Sequence, residues 1–296
     1  MPGDRFPRRR RPGRAVRARP RRSPRDAPAV NRATPPGFTE PAKKSLGQHF
    51  LHERGVVDKI IRAVDPQPGD RLVEIGPGQG AMTFPLLDRH GSLTAIEFDR
   101  DLLAPLAEAA RAHGELTLVH ANVLDVDFTA LAAGTPIRLV GNLPYNLSSP
   151  ILFHALDHAA AVRDMHFMLQ KEVVDRMAAG PGSKVYGRQS VMLQAWCRVT
   201  ALFDVGPGAF RPPPKVDSAV VRLVPREPGS VGIDDPTRFA AIVRDAFGQR
   251  RKTLRNSVSK LVDEATIRAA GIDPQVRAEQ LAVADFVRLA NQPGAP

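Results

Sequence analysis

Asn142-Leu143-Pro144-Tyr145 is the stretch of this chain whose residue types point most directly at a reaction. An exocyclic amine on an aromatic ring, such as N6 of adenine, is a weak nucleophile because its lone pair is delocalised into the ring. Acceptors that hold its hydrogens turn that lone pair outward, toward a donor of a carbon group. Asn142 supplies a side-chain oxygen and Leu143 a backbone carbonyl. Pro144 removes one backbone donor and fixes the direction of the turn, and Tyr145 offers a ring face on which a planar base can stack. Read for structure alone, the same four residues are a polar turn carrying a buried tyrosine.

A second stretch, Val73-Glu74-Ile75-Gly76-Pro77-Gly78-Gln79-Gly80, ends an apolar run in a glycine turn, where backbone amides can approach a ligand closely. Its spacing is Gly-x-Gly-x-Gly, not the Gly-x-Gly-x-x-Gly that cradles a dinucleotide pyrophosphate, which argues against a nicotinamide oxidoreductase. Glu97 closes the next apolar run. A carboxylate there accepts from both ribose hydroxyls of an adenosine, a property that serves NAD and S-adenosylmethionine equally. The plain alternative is a tight turn with an exposed acid.

The elements that must hold these groups follow from periodicity. Arg71–Gly76 and Leu93–Phe98 read as strands, with a helix from about Gly80 between them and another over Leu102–Ala112. Further strands are expected at Leu116–His120, Ile137–Gly141 and Met165–Leu169. Strand-helix alternation of this kind implies an α/β fold with a mainly parallel sheet covered on both faces, and ligands at the carboxyl ends of its strands. Lys215–Val224 reads as a late, antiparallel strand. Pro225–Asp235 has a linker composition, and beyond it helical patterns run without strands. The organisation expected is a tail over 1–37, an α/β domain over 41–225 and a small all-helical domain over 232–296.

Charge is concentrated at the start. The formal charge is +11 over 296 residues. Residues 1–32 hold twelve arginines against Asp4 and Asp26, a net of +10, so everything after Arg32 is close to neutral. This Arg- and Pro-rich tail has too few large apolar residues to offset its ordering entropy, and its regular prolines oppose the amphipathic helix of a mitochondrial transit peptide. We read it as a disordered basic extension, either passive or attracting phosphate without regard to sequence. The single cysteine, Cys197, excludes a disulfide framework within one chain. No apolar run is long enough to span a bilayer. A soluble, cytoplasmic protein is expected, with no membrane partner.

Arg250, Arg251, Lys252 and Arg255 form a basic cluster that we place on a helix, with Arg251 and Arg255 sharing a face at four-residue spacing. Lys184, Arg188, Arg211 and Lys215 flank loops near the expected target site and are further candidates for phosphate contact. His154 and His158 are also four apart on an expected helix, but no third ligand stands at a suitable spacing, so no metal is assigned. Cys197 follows Trp196 in an apolar helical stretch and reads as core.

Together these residues resemble the ribosomal RNA adenine dimethyltransferase family. The likeness covers nearly everything after the tail. It includes Lys44-Ser45-Leu46-Gly47-Gln48-His49-Phe50-Leu51, the Glu74–Gly78 turn, Gly141–Tyr145, the block from Phe210 through Pro212-Pro213-Pro214-Lys215 to Val220, and the block from Phe247 to Asn256. The resemblance implies a Rossmann-like methyltransferase domain and S-adenosylmethionine as methyl donor. It further implies dimethylation of two adjacent adenosines in the 3′-terminal hairpin of small-subunit (16S) ribosomal RNA, with immature small subunits as partner and a monomeric enzyme in ribosome biogenesis. By position it assigns His49 and Leu51 to closure over the methyl donor, Gly76 and Gly78 to the glycine turn, and Glu97 to the ribose. Asn122 falls to the cofactor adenine, Asn142 to the cofactor and the target amine, and Phe210 to a second aromatic wall opposite Tyr145. Read without the family, Phe210 is a core residue anchoring a loop. The family commonly has asparagine where His49 stands and aspartate where Asn122 stands, and an amide at 122 lacks the charge-assisted part of a hydrogen bond to the cofactor. Two other readings share the fold: a large-subunit RNA adenine methyltransferase of the antibiotic-resistance type, and a non-catalytic RNA-binding assembly factor.

Overall fold

The computed structural model describes residues 42–43, 47–249 and 251–293, all within the unit Thr34–Pro296. The expected tail, residues 44–46 and Arg250 lie outside the described residues.

A two-residue strand, β1 (Phe50–Leu51), leads into helix α1 (Arg54–Val64). The Glu53 carboxylate caps α1 by accepting from the Gly55 and Val56 amides, and Val57, Ile60 and Val64 bury one face at helical spacing. The periodic core then follows as β2 (Arg71–Ile75), α2 (Thr83–His90), β3 (Ser92–Glu97), α3 (Arg100–Ala110), β4 (Glu115–His120), α4 (Phe128–Ala132), β5 (Ile137–Asn142), α5 (Ser148–Asp157) and β6 (Val162–Gln170). Helices α6 (Lys171–Ala178) and α7 (Arg188–Trp196) precede β7 (Cys197–Val205), β8 (Phe210–Arg211) and β9 (Ser218–Pro225).

Seven strands form one sheet in the order β4-β3-β2-β5-β6-β9-β7. The first five are parallel, while β9 runs antiparallel to both β6 and β7. The mainly parallel sheet and the antiparallel late strand are as the periodicity predicts. Three boundaries differ. Helix α2 begins at Thr83, because the glycine turn continues to Gly80. Strand β9 begins at Ser218, because the proline run keeps Lys215 to Asp217 out of the ladder. Cys197 opens β7 instead of sitting in a helix, although its side chain is fully buried as expected.

Strand β5 is buried from Ile137 to Gly141 and sits at the centre of the sheet, as continuous apolar strands covered on both faces require. Its entrance is pinned by a buried ion network in which Arg138 bonds Asp70 at 2.6 Å and Asp164 at 2.9 Å. After β9 the chain is helical: α8 (Pro236–Ala246), α9 (Leu254–Val258), α10 (Glu264–Ala269) and α11 (Val283–Ala290). These share a separate apolar cluster around Phe239, Ile242 and Phe286, which also takes in Tyr186, Val191 and Ala195. Among the described residues, no helix is long and apolar enough to cross a membrane.

Candidate active site

Strand register decides which groups meet. Ile75 pairs with Ile96 on β3 and with Gly141 on β5, so the glycine turn, Glu97 and Asn142 leave the sheet side by side at its carboxyl edge. Gly141 makes that approach possible: a Cβ there would lie 2.7 Å from the Ile75 carbonyl oxygen. Among described residues, Asn142 donates its amide nitrogen to the His49 carbonyl at 3.0 Å, and its side-chain oxygen has no partner. The Leu143 amide donates to Met168 at 3.2 Å. The Leu143 carbonyl makes no bond to a described residue, whereas those of Pro144 and Tyr145 are used by Leu147 and Ser148.

Tyr145 is half-buried, and its hydroxyl is 2.9 Å from Ser218 Oγ at the start of β9. Burial raises its pKa. The His49 imidazole stacks on it, with ring centroids 5.9 Å apart. His49 Nδ1 lies 2.7 Å from the Pro212 carbonyl; a carbonyl only accepts, so Nδ1 carries the proton.

The glycine turn is tied to the acid. Gly78 donates to Glu97 Oε2 at 3.3 Å, and the Asp99 amide to Oε1 at 2.7 Å. Gly76 and Gly80 donate to the Ile96 and Pro77 carbonyls. The amides of all three glycines are thus taken up within the protein. Gly78 has φ of +56°, and a Cβ there would meet the Phe50 ring at 3.1 Å, so β1 lies directly over the turn. Burial raises the Glu97 pKa, outweighing those amide donors. Glu74 beneath it is fully buried; Thr83 donates to one carboxyl oxygen at 2.6 Å, and the other has no partner. Burial pushes its pKa up to about 8.

Other expected residues stand differently. Asn122 lies two residues past the end of β4, and its side-chain oxygen accepts the Leu124 amide at 3.2 Å and caps a turn. Leu51 is buried and pairs with Phe210 across β1 and β8. Phe210, expected as a second aromatic wall opposite Tyr145, is 3% exposed and packs with Leu51 and Val220. The helix expected through the basic cluster is also corrected. Arg251 and Lys252 lie in a turn after α8, which stops near Gly248, and only Arg255 is helical. Arg255 bonds Glu264 at 3.1 Å, so Arg251 and Arg255 share no helix face. Lys184 and Arg188 are exposed beside the helical cluster, where Gly182 bonds Glu279 and Tyr186 bonds Leu281. Arg211 and Lys215 are exposed on the proline loop. His154 Nε2 is 2.8 Å from the Val126 carbonyl and His158 Nδ1 is 3.0 Å from that of His154. Among described residues, no group of three or more His, Cys, Asp or Glu side chains could hold a metal.

Sequence reasoning missed a latch and an aromatic. Lys43 Nζ bridges Asp99 and Asp101 at 2.6 Å each, and Gln48 Nε2 donates to Asp99 at 2.9 Å. Burial would raise the Asp99 pKa, but these bonds outweigh it and hold it low. Phe98, immediately after Glu97, is 61% exposed. An exposed aromatic directly after the acid that ends β3 was the available signal.

A family profile described as ribosomal RNA adenine dimethylase matches residues 39–293 of this chain. The chain belongs to that family. Among relatives of this adenine dimethylase, the chain is 74% identical over 254 residues to the ribosomal RNA small subunit methyltransferase A of Xanthomonas euvesicatoria pv. vesicatoria (strain 85-10), covering 86% of this chain and 97% of that one. The enzyme of the same name from Xanthomonas campestris pv. campestris (strain B100) is 73% identical over the same coverage. In structure, the dimethylase resembles a dimethyladenosine transferase from Plasmodium falciparum, with a TM-score of 0.68 at 24% identity over 81% of this chain and 96% of that one. It also resembles the 23S rRNA methyltransferase ErmE, with a TM-score of 0.66 at 25% identity over 81% and 98%.

Proposed function

We propose that this adenine dimethylase transfers methyl groups from S-adenosylmethionine to N6 of two adjacent adenosines in the 3′-terminal hairpin of small-subunit ribosomal RNA. The observation that carries the reaction is the pair of open acceptors, Asn142 Oδ1 and the Leu143 carbonyl, beside the Tyr145 ring. Identity of 74% to a small-subunit enzyme, against 25% to a 23S enzyme, supports the small-subunit substrate.

The donor set fits S-adenosylmethionine. Glu97 is held by two backbone amides in an orientation suited to ribose hydroxyls, the unpartnered Glu74 oxygen lies beneath the glycine turn, and Phe98 offers a face for a purine. When bound, the cofactor supplies a methyl on a sulfonium, already an excellent leaving group. The chain's task is therefore orientation. Asn142 and Leu143 hold the amine hydrogens, Tyr145 fixes the plane of the base, and the amine proton leaves to water after transfer. No strong general base is required. Arg211, Lys215, Arg251 and Lys252 are proposed to meet phosphate, Lys184, Arg188 and Arg255 to extend that surface, and the natural substrate to be an immature small subunit met by a monomer in the cytoplasm. The helices over 232–296 are proposed as an RNA-substrate domain.

The test is incubation with labelled S-adenosylmethionine and unmethylated small subunits, followed by nucleoside analysis. N6,N6-dimethyladenosine at two adjacent positions is expected. Methylation of large subunits instead, or intact cofactor binding with no transfer, overturns the proposal in favour of a large-subunit enzyme or a non-catalytic assembly factor.

A further inference from the structure

Lys43 and residues 47–51 touch three parts of the candidate site that come from separate stretches of the chain. The Phe50 ring lies against Gly78 of the glycine turn, where an added Cβ would meet it at 3.1 Å. The His49 carbonyl receives the Asn142 amide. The third attachment is Asp99, two residues past the acid that ends β3. Asp99 Oδ1 accepts from Lys43 Nζ at 2.6 Å and Oδ2 from Gln48 Nε2 at 2.9 Å, while Lys43 Nζ also reaches Asp101 at 2.6 Å. The two partners are tied to each other as well: the Lys43 backbone amide donates to Gln48 Oε1 at 2.8 Å, so both ends of the Gln48 side-chain amide are engaged. Asp99 acts in the other direction too. Its backbone amide donates to Glu97 Oε1 at 2.7 Å, the shorter of the two bonds that orient that acid. One residue therefore joins the acid proposed for the ribose to the stretch that lies over the glycine turn. In the ion pair, the Asp99 side chain is 5% exposed and that of Lys43 32%, so the fastening is half wet and answers to salt.

We propose that Asp99 is a positioning residue for the cofactor: by fastening Lys43 and Gln48 it holds residues 47–51 against the glycine turn, and so slows the departure of S-adenosylmethionine and of its demethylated product, S-adenosylhomocysteine. The inference rests on the S-adenosylmethionine reading above and adds to it the residues that set how long the cofactor stays. Two adenosines, each methylated twice, need a fresh cofactor for every transfer. A fastening made of a half-wet ion pair and one amide hydrogen bond suits that task, because it holds during transfer and yields between transfers.

The experiment measures binding and dissociation of S-adenosylmethionine and S-adenosylhomocysteine, without RNA, for the wild type, Lys43→Ala, Lys43→Arg and Asp99→Asn, with the thermal midpoint of each. Lys43→Ala removes the wet partner of the pair and is expected to speed dissociation of both ligands up to about fivefold, the reach of a partly exposed ion pair, at an unchanged midpoint. Lys43→Arg keeps the charge and is expected to recover most of that loss. Asp99→Asn keeps the size of the side chain and an acceptor for the Asp101 amide but gives up the charge that Lys43 and Gln48 share, and is expected to speed release about tenfold or more. Added salt should speed release from the wild type and from Lys43→Arg and hardly change it for Lys43→Ala, a response that packing alone would not give. Because Lys43 is partly exposed, its two variants decide the case even where Asp99→Asn lowers the midpoint. Unchanged dissociation in Lys43→Ala, equal acceleration in Lys43→Ala and Lys43→Arg, or the same salt response in Lys43→Ala as in the wild type overturns the assignment. Failure of the wild type to bind either ligand would instead sink the cofactor reading itself.

Discussion

The side-chain nitrogen of Asn142 donates to the backbone carbonyl of His49, 3.0 Å away and 93 residues earlier in the chain. A carbonyl only accepts, so the contact admits one orientation of the amide and leaves its oxygen without a partner among the described residues. Asn142→Asp places two acceptors against each other and destroys that orientation without changing size. We expect it to lower the single-turnover rate of methyl transfer at least about 100-fold, the usual cost of losing one preorganised polar group. Asn142→Ala should abolish turnover while cofactor binding stays measurable. Single-turnover assays with labelled cofactor, paired with equilibrium binding, check both, and retained transfer in either variant removes Asn142 from the mechanism.

Glu74 predicts an unusual pH dependence of stability. Its carboxyl ionises at about 4.5 in an unconstrained chain and at about 8 in the folded protein, because burial disfavours the charge. Folding at neutral pH therefore takes up a proton. The group costs nothing below pH 4.5, and stability is lost progressively as pH rises from there toward 8. Glu74→Gln keeps an acceptor for Thr83 and removes the titration. It should be more stable than wild type by on the order of 3 kcal/mol at pH 7, with the gain vanishing near pH 4. Urea midpoints at those two pH values test this, and a gain independent of pH would mean that Glu74 is not protonated on folding.

Gly141 sits where β5 passes β2 most closely. A methyl at this position meets the Ile75 carbonyl oxygen at 2.7 Å and Leu143 at 3.0 Å. The first is backbone within a paired strand and has nowhere to move. Gly141→Ala should destabilise by about 1–3 kcal/mol and displace Asn142, so that activity falls further than the unfolded fraction explains. Denaturation curves with activity per folded molecule separate the two effects.

What was legible in the sequence follows the range of the interactions. Strands β2, β3 and β5 are runs of buried apolar residues ending at glycine or acid, so local pattern places both motifs at one sheet edge. Strand β7 was missed because it is an edge strand whose exposure alternates poorly, with Arg198 and Asp204 exposed. Its identity comes from pairing with β9, a partner in space. The basic turn after Gly248 reads as helix from charges at four-residue spacing, whereas α8 ends at Ala246. The Lys43–Asp99 latch and the His49–Tyr145 stack join residues 56 and 96 positions apart, and no periodicity reports such contacts.

Arg211 and Lys215 predict how RNA binding responds to salt. Both are exposed on the loop that carries Pro212, the anchor of His49, and neither forms an ion pair with a described residue. Arg255, by contrast, is already bonded to Glu264. A cation that neutralises a phosphate releases a condensed counterion, and each such contact contributes about 0.7 to the slope of log affinity against log salt on single strands and about 0.9 on duplex. Arg211→Ala and Lys215→Ala should each flatten the slope by close to one such step, weakening binding uniformly without changing which adenosine is modified. Arg255→Ala should flatten it less, because its charge is partly satisfied within the protein. Removing residues 1–36, with their excess of arginines, should flatten the slope again if that segment attracts phosphate. Titrations of a small-subunit hairpin at several salt concentrations decide each case. Unchanged slopes for Arg211→Ala and Lys215→Ala would take phosphate off this loop and leave the turn at Arg251 and Lys252 as the place to look.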